Sequence, residues 1–178
     1  VHRDWAMHPD ISADIRAIST TPMLVVTAGA KIILDLPATR EALDTNMIPV
    51  IGWRCDHFPR FTSRGTQEQP LEQRLDDLVR LSEICHLHWD VLQRDEGILL
   101  LNEIPEEEAL DGAMVEKIVT EACRSAKELG IKGQALTPHL LTALAEETSG
   151  DSLDANIALL LGNASLAARG SLALASND

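Results

Sequence analysis

The chain is poor in lysine, and it lacks the basic stripe that marks a nucleic-acid-binding domain. Only four of its 178 residues are lysines, whereas 28 are aspartate or glutamate, and the formal net charge is −13 at pH 7. This charge balance argues against nucleic acid as a partner. It does not exclude a small anionic substrate, because a pocket can be locally positive on an acidic protein.

Several other patterns are missing. The three cysteines, Cys55, Cys85 and Cys123, are widely spaced and show no metal-ligand spacing, which predicts reduced thiols in a cytoplasmic compartment. No apolar run approaches the roughly 20 residues that cross a bilayer, and no secretory signal opens the chain, so we expect no membrane partner. No G-x-G-x-x-G follows an apolar run, which disfavours a dinucleotide-binding module.

The length fits one domain. A chain of 178 residues, 45% of them hydrophobic, can bury one core but is too short for two large ones. It begins at Val1 without a methionine, and its first ten residues carry no helix or strand signal. We therefore expect residues 1–178 to be a single α/β domain that forms part of a longer protein.

Apolar patterning predicts alternating strands and helices. The runs "PMLVVT", "MIPVIGW" and "GILLLNEIP" are typical of strands buried on both faces. Residues 54–73 read as a loop. Helical spacing predicts helices over 11–19, 31–46, 74–94, 114–129, 137–147 and 153–174, with Asp10 as the first N-cap, Pro37 in a first turn and Gly130 at a C-terminus. Strands separated by helices predict βαβ units and a parallel sheet.

Ligands of such sheets bind beyond the carboxyl ends of the strands. Three segments follow the predicted strands: "TAGAK", "WRCDHF" and "NEIPEE". Lys31 ends the first of them, beside Ala28, Gly29 and Ala30, whose small size leaves room for a substrate carbonyl. A partly dehydrated lysine amine is a usable nucleophile. The alternative is a surface lysine in the first turn of a helix, a position that the helix dipole disfavours.

Other candidate residues allow more than one interpretation. Asp10 and Asp14 are four apart, so on a helix they would share a face and could hold one hard cation, or they could be an N-cap and a solvated carboxylate. The histidines of "HLH" at 86–88 diverge on a helix and read as structural. Cys55 and His57 follow a predicted strand, where a thiol–imidazole pair is conceivable. Asn102 lies at a strand end. Asn156, on an apolar helix, needs a partner in another helix or in a substrate.

Six motifs occur in order and at family-like spacing: "DISAD", "AGAKIILD", "PVIGW…D.FP.F.SR", "N.IPEE.AL", "GIKGQALTPHLL" and "SLDANIALL…NA.LAA". Together they resemble the pseudouridine-5'-phosphate glycosidase family, also called indigoidine synthase A-like. The resemblance covers the whole chain. It implies a three-layer α/β/α fold with a mainly parallel sheet. It also implies an enzyme that reversibly cleaves the C–C glycosidic bond of pseudouridine 5'-phosphate to uracil and ribose 5-phosphate, with Mn²⁺ or another divalent cation, commonly as a homotrimer.

The resemblance also assigns roles to residues. A C–C bond needs an electron sink, and in the family a lysine of the "AGAK" motif supplies it as an imine, which implies that Lys31 is the nucleophile. The implied metal ligand is Asp10. The implied substrate-binding residues are Ser12, Ala13, Asp14, His2 and Asn156.

The chain also departs from the family pattern. The family has an N-terminal portion with a glutamate general acid and a substrate-binding lysine, so we expect this chain to be the C-terminal part of the longer enzyme. "GWRCDHFPRF" differs from the usual Gly-Tyr and Asp-Glu-Phe-Pro pattern, and Glu103 and Glu108 replace a usual Pro and His. Two alternatives stay open: another Schiff-base lyase acting on sugar phosphates, and a non-catalytic remnant that binds a metabolite or oligomerises.

Overall fold

The structure is a computed structural model, and it describes residues 1, 11–31, 34–131 and 135–176. Four parallel strands form one sheet in the order β1-β4-β2-β3. The strands are β1 (Leu24–Thr27), β2 (Val50–Trp53), β3 (Arg74–Leu75) and β4 (Ile98–Asn102). The three strands expected from apolar runs are therefore confirmed, and a two-residue edge strand is added to them.

Within the described part of the chain, six α-helices connect and cover these strands. They are α1 (Ala13–Ile18), α2 (Leu36–Thr45), α3 (Leu78–His86), α4 (Gly112–Glu128), α5 (Leu136–Glu147) and α6 (Asp151–Ala175). A π-helical turn, Leu87–Val91, extends α3, and a 3₁₀ turn covers Glu106–Glu108. The region 54–73 contains only turns and isolated bridges. Gly130 follows α4 with φ of +70°, as a C-terminal glycine should.

Two predicted helix starts were wrong. The first helix begins at Ala13, and its N-cap is Ser12, whose hydroxyl accepts a hydrogen bond from the amide of Asp14 at 3.2 Å. The second begins at Leu36, because the Asp35 carboxylate caps the amide of Ala38 at 2.9 Å and Pro37 fits the first turn. Lys31 therefore precedes α2, and the argument from a first-turn position does not apply to it.

The predicted helix over 74–94 also began too early. The amide of Arg54 donates to the carbonyl of Leu75 at 2.8 Å, and the amide of Gly52 donates to the carbonyl of Gln73 at 2.9 Å. These bonds make Arg74–Leu75 an edge strand beside β2. The helix starts only after Asp77, whose carboxylate caps the amide of Val79 at 2.9 Å.

Helices cover both faces of the sheet, which confirms the three-layer α/β/α architecture. On one face, Ile15 of α1 and Leu43 of α2 share a buried cluster with Leu99 and Leu101 of β4. The other face packs against α3 and α6. Its buried cluster consists of Ile51, Trp53, Leu81, Cys85, Ile98, Leu100 and Leu166. Helices α4 and α5 pack on each other through Val115, Val119 and Leu140.

Helix α6 is the longest and the most apolar of the helices in the described part of the chain. By length and composition alone it passes a test for a membrane span, with a mean hydropathy of 1.4 over 18 residues. Only 17% of this window is buried, so α6 is not a mostly buried core helix. A single helix of this kind is nevertheless weak evidence, because helices of soluble proteins pass the same test. The composition of α6 is therefore weak ground for a membrane assignment.

Candidate functional site

The turn after β1 is held by a loop that crosses the carboxyl edge of the sheet. Gly29 pairs with Arg60 in an antiparallel bridge, and the amide of Phe61 donates to the carbonyl of Ala28 at 3.0 Å. Gly29 has φ of +80°, and a Cβ built on it would overlap the carbonyl of Pro59. Glycine lacks a Cβ, so it alone can adopt this positive φ while the Pro59 carbonyl lies so close.

This pairing places Phe61 beside Lys31. The Nζ atom of Lys31 lies 5.5 Å from the centroid of the Phe61 ring, and the lysine is half-buried. The ring in turn packs against a buried cluster of Ala28, Ile104, Ala155 and Leu159. An aromatic face within about 6 Å favours a cation at this position. The loop therefore supplies a ring that would stabilise either an ammonium or an iminium on Lys31.

The predicted substrate-binding segment lies at the start of α1. Ser12, Ala13 and Asp14 are exposed, and the Ser12 hydroxyl donates to the Asp14 carboxylate at 2.9 Å. The other end of α1 is anchored where β4 begins, since the carbonyl of Ile18 accepts from the amide of Gly97 at 2.7 Å. His2 and Asp10, the other residues implied near this segment, lie outside the described residues.

Two asparagines meet where β4 ends. The side-chain amide of Asn102 donates to the side-chain carbonyl of Asn163 in α6 at 3.1 Å. Sequence reasoning selected Asn102 but missed Asn163, although Asn163 is a polar residue on the same apolar helix as Asn156. Asn156 is half-buried next to Ala155, and its side chain has no hydrogen-bond partner within the described residues. Both interpretations of Asn156 therefore stay predictions.

Glu103 and the arginines of the crossing loop form a compensated charge network. The Glu103 carboxylate accepts from the amide of Gly65 at 2.6 Å and pairs with Arg64 at 2.6 Å. Arg60 pairs with Glu116 at 2.8 Å. Both arginines line an open cleft of about 1050 Å³ beside the start of α4. Because each arginine in this cleft already has a carboxylate partner, the network serves to hold the loop.

Cys55, His86 and His88 each bond to a neighbouring group of the fold. The Cys55 thiol donates to the carbonyl of Leu101 at 3.7 Å, and desolvation by burial raises its pKa to about 11, so it is not a thiolate near neutral pH. His86 bonds to Asp90 at 2.8 Å, whereas His88 bonds to the carbonyl of Glu96 at 3.0 Å. The prediction that the two histidines diverge is confirmed.

The described residues offer no metal centre. Within 1, 11–31, 34–131 and 135–176, no group of three or more histidine, cysteine, aspartate or glutamate side chains could hold a metal ion. Asp14, the one acidic partner proposed for Asp10 that the structure describes, is exposed and bonded to Ser12. These residues alone do not fit a metal site.

Comparison with known proteins identifies a matching family and named relatives. The family described as "Indigoidine synthase A like protein" matches residues 1–173. The pseudouridine-5'-phosphate glycosidase of Caldanaerobacter subterraneus subsp. tengcongensis is 44% identical over 169 residues, which are 95% of this chain and 54% of the relative. That of Myxococcus xanthus is 43% identical over 175 residues, 98% of this chain and 56% of the relative.

Solved structures give the same picture. The prealnumycin C-glycosynthase AlnA, in complex with ribulose 5-phosphate, has a TM-score of 0.92 and 38% identity, covering 99% of this chain and 57% of AlnA. An indigoidine synthase A-like protein of Thermotoga maritima has a TM-score of 0.84 and 31% identity, covering 100% of this chain and 56% of that protein. The chain thus spans about half the length of the relatives it matches.

Proposed function

Because the chain belongs to the indigoidine synthase A-like family, we propose that it carries the nucleophilic lysine of a pseudouridine-5'-phosphate glycosidase. The proposed reaction is the reversible cleavage of the C–C bond between ribose 5-phosphate and uracil. The placement of Lys31 carries the proposal: it is half-buried at the carboxyl edge of a parallel sheet, beside an aromatic ring. The names of the relatives and the C-glycosynthase activity in the name of AlnA support this reaction class.

The chemistry explains why a lysine is used. An ordinary glycosidase protonates a leaving oxygen with a carboxylic acid, but a C–C bond has no such leaving atom. The Lys31 amine instead adds to C1 of the ribose and opens the sugar ring, and the ring oxygen takes a proton. When the bond from C1 to uracil breaks, its electron pair goes to the uracil carbon, which is protonated, and C1 becomes an iminium on Lys31. Water then releases ribose 5-phosphate and the free amine.

The substrate contacts are proposed from the family pattern. Ser12, Ala13 and Asp14 would contact the substrate from the start of α1, and His2 and Asn156 would line the same site. The exposure of the first three supports this assignment, because they are accessible to a ligand. Asn156 adjoins Ala155, which packs in the same buried cluster as Ala28 of the lysine turn.

Mn²⁺ or another divalent cation, held by Asp10, is also a proposal. Since the described residues do not form a metal site by themselves, no step above depends on the cation. Its test is the effect of a chelator. If Asp10 holds a required cation, EDTA should abolish the borohydride-trapped adduct on Lys31, and added Mn²⁺ should restore it. In Asp10→Asn, neither EDTA nor Mn²⁺ should change the yield of that adduct.

The assembly and the compartment are proposals of the same kind. We propose a cytoplasmic homotrimer whose site is completed by the N-terminal portion found in the family. Exposed apolar side chains on α6 support association; they are Leu153, Ile157, Leu160, Leu161 and Leu172. Light scattering of the purified chain measures its mass, and a monomer at working concentration would contradict the trimer.

The decisive experiment traps the imine. The purified chain is incubated with ribose 5-phosphate and Mn²⁺, reduced with borohydride and analysed by intact-protein mass spectrometry. The expected adduct has the mass of ribose 5-phosphate less one oxygen, and it should be absent in Lys31→Ala. Lys117→Ala, which removes an exposed lysine from α4, is the matched control and should retain the adduct.

The trap also separates the alternatives. If the parent and Lys31→Ala both lack the adduct, even after the family's N-terminal portion is added in trans, the chain is the non-catalytic remnant. If the adduct forms, but a separate incubation with ribose 5-phosphate and uracil and without borohydride yields no pseudouridine 5'-phosphate, the chain is a different Schiff-base lyase. An adduct of equal yield in Lys31→Ala would show that another amine reacts and would refute the proposal.

A further inference from the structure

Two arginines converge on one tryptophan where β2 ends. The guanidinium carbon of Arg54 lies 5.0 Å from the Trp53 ring centroid, and that of Arg169, from α6, lies 5.8 Å from the same centroid. The two guanidinium carbons are therefore no more than 10.8 Å apart, the sum of those distances. Trp53 itself is buried and packs in the core beneath α6. The indole thus fixes two exposed cations from different elements in one place.

These two arginines differ from most others in the described part of the chain. Seven of its ten arginines form ion pairs with a carboxylate: Arg40, Arg60, Arg64, Arg74, Arg80, Arg94 and Arg124. Arg54 and Arg169 pair with no described residue. Acidic partners are close by, since the neighbouring Arg74 holds both Asp56 at 2.7 Å and Asp76 at 3.1 Å. The chain has 28 acidic residues, yet no carboxylate among the described residues pairs with either arginine at this ring.

The backbone at Arg54 adds a second observation. Arg54 has φ of +56°, in the left-handed region that glycine occupies without cost. Its amide is fixed by the carbonyl of Leu75 at 2.8 Å, so the edge strand imposes this conformation. An arginine in this region is strained relative to a glycine. This conformation directs a guanidinium to the indole that Arg169 also reaches.

From this geometry we propose that Arg54 and Arg169 form an accessory anion site, which binds the phosphate group of a small molecule. Guanidinium groups match phosphate oxygens with paired N–H donors, and two of them can balance a dianion. The site is separate from the lysine site, because β4 lies between β1, which precedes Lys31, and β2, which ends at Trp53. This inference goes beyond the proposed reaction and does not depend on the imine.

The test uses inorganic phosphate at constant ionic strength, followed by tryptophan emission of the purified chain. The parent should show a saturable change, because phosphate would draw the guanidiniums away from the Trp53 ring. Arg54→Gly and Arg169→Ala should each bind at least about tenfold more weakly. Arg54→Gly suits the left-handed backbone, so loss of binding in it would not reflect loss of the fold.

Three further variants make the result specific. Trp53→Phe should abolish the emission change, which would identify the reporting indole. Lys31→Ala should bind phosphate like the parent, which would separate this site from the lysine site. Arg124→Ala removes an exposed arginine from α4 and should also bind like the parent. The proposal is overturned if Arg54→Gly or Arg169→Ala titrates like the parent, or if sodium chloride at equal ionic strength reproduces the change.

Discussion

The Nζ atom of Lys31 lies 5.5 Å from the ring centroid of Phe61, although thirty positions separate the two residues in the chain. The amide of Phe61 donates to the carbonyl of Ala28 at 3.0 Å, and Gly29 pairs with Arg60, so backbone contacts bring the two side chains together. The loop that crosses the sheet edge therefore shapes the surroundings of the proposed nucleophile.

Replacing Phe61 should weaken the imine without removing the lysine. A nearby ring stabilises a cation by about 0.5–2 kcal/mol, and the iminium of the proposed reaction is cationic. Phe61→Leu should therefore lower the yield of the borohydride-trapped adduct by about two- to thirtyfold, whereas Phe61→Tyr, which keeps the ring, should stay close to the parent. An unchanged yield in Phe61→Leu would show that the ring does not contribute.

Gly29 should tolerate no side chain. Gly29→Ala adds a Cβ where the Pro59 carbonyl lies and forces a left-handed φ of +80° on alanine. We expect it to lower the free energy of unfolding by at least about 2 kcal/mol, measured by urea denaturation. Gly150→Ala is the matched control, because it has φ of +97° but nothing within 4 Å of the added Cβ. A loss in Gly29→Ala no larger than in this control would mean that the loop moves aside.

The sequence predicted the sheet and a loop over 54–73, but not the contacts that this loop makes with the turn after β1. Continuous apolar runs identified the three long strands, because strands buried on both faces cannot alternate. The edge strand Arg74–Leu75 was missed, since two residues carry no period and only their bonds to β2 define them. Phe61 and Asn163 were missed for a related reason. Their roles come from contacts with Lys31 and Asn102 across the fold, and local patterns do not report such contacts.

The contact between Asn102 and Asn163 should appear as a coupling energy. Each half-buried amide loses a partner when the other is removed, so a double-mutant cycle with Asn102→Ala and Asn163→Ala should give about 0.5–1.5 kcal/mol of coupling in urea denaturation. Asn46→Ala provides the comparison. Asn46 bonds only to the carbonyl of Ala42 within its own helix end, so its effect should add to that of Asn163→Ala. Additivity in both cycles would show that the amide contact is not formed in solution.

Two buried thiols should make the fold sensitive to alkali. Burial raises the pKa of Cys55 and of Cys85 to about 11, whereas an unfolded cysteine has a pKa near 8.5. Above that lower value the unfolded chain loses thiol protons that the folded chain keeps, so the folded state binds more protons and its stability falls as pH rises. Each thiol should therefore contribute a loss of about 3 kcal/mol between roughly pH 8.5 and 11. The chain contains no tyrosine, so no phenol titrates in this window.

The measurement is urea denaturation of the parent, Cys85→Ala and Cys123→Ala from pH 8 to pH 11. Cys85→Ala should be less stable than the parent at pH 8, because it leaves a cavity beside Leu81 and Ile98 in the buried cluster under α3. Its stability should nevertheless fall less steeply with pH, because one titrating thiol is gone. Cys123 is only half-buried on α4, so its replacement should leave the parent's slope nearly unchanged. Equal slopes in the parent and Cys85→Ala would show that the Cys85 thiol does not drive the alkaline loss.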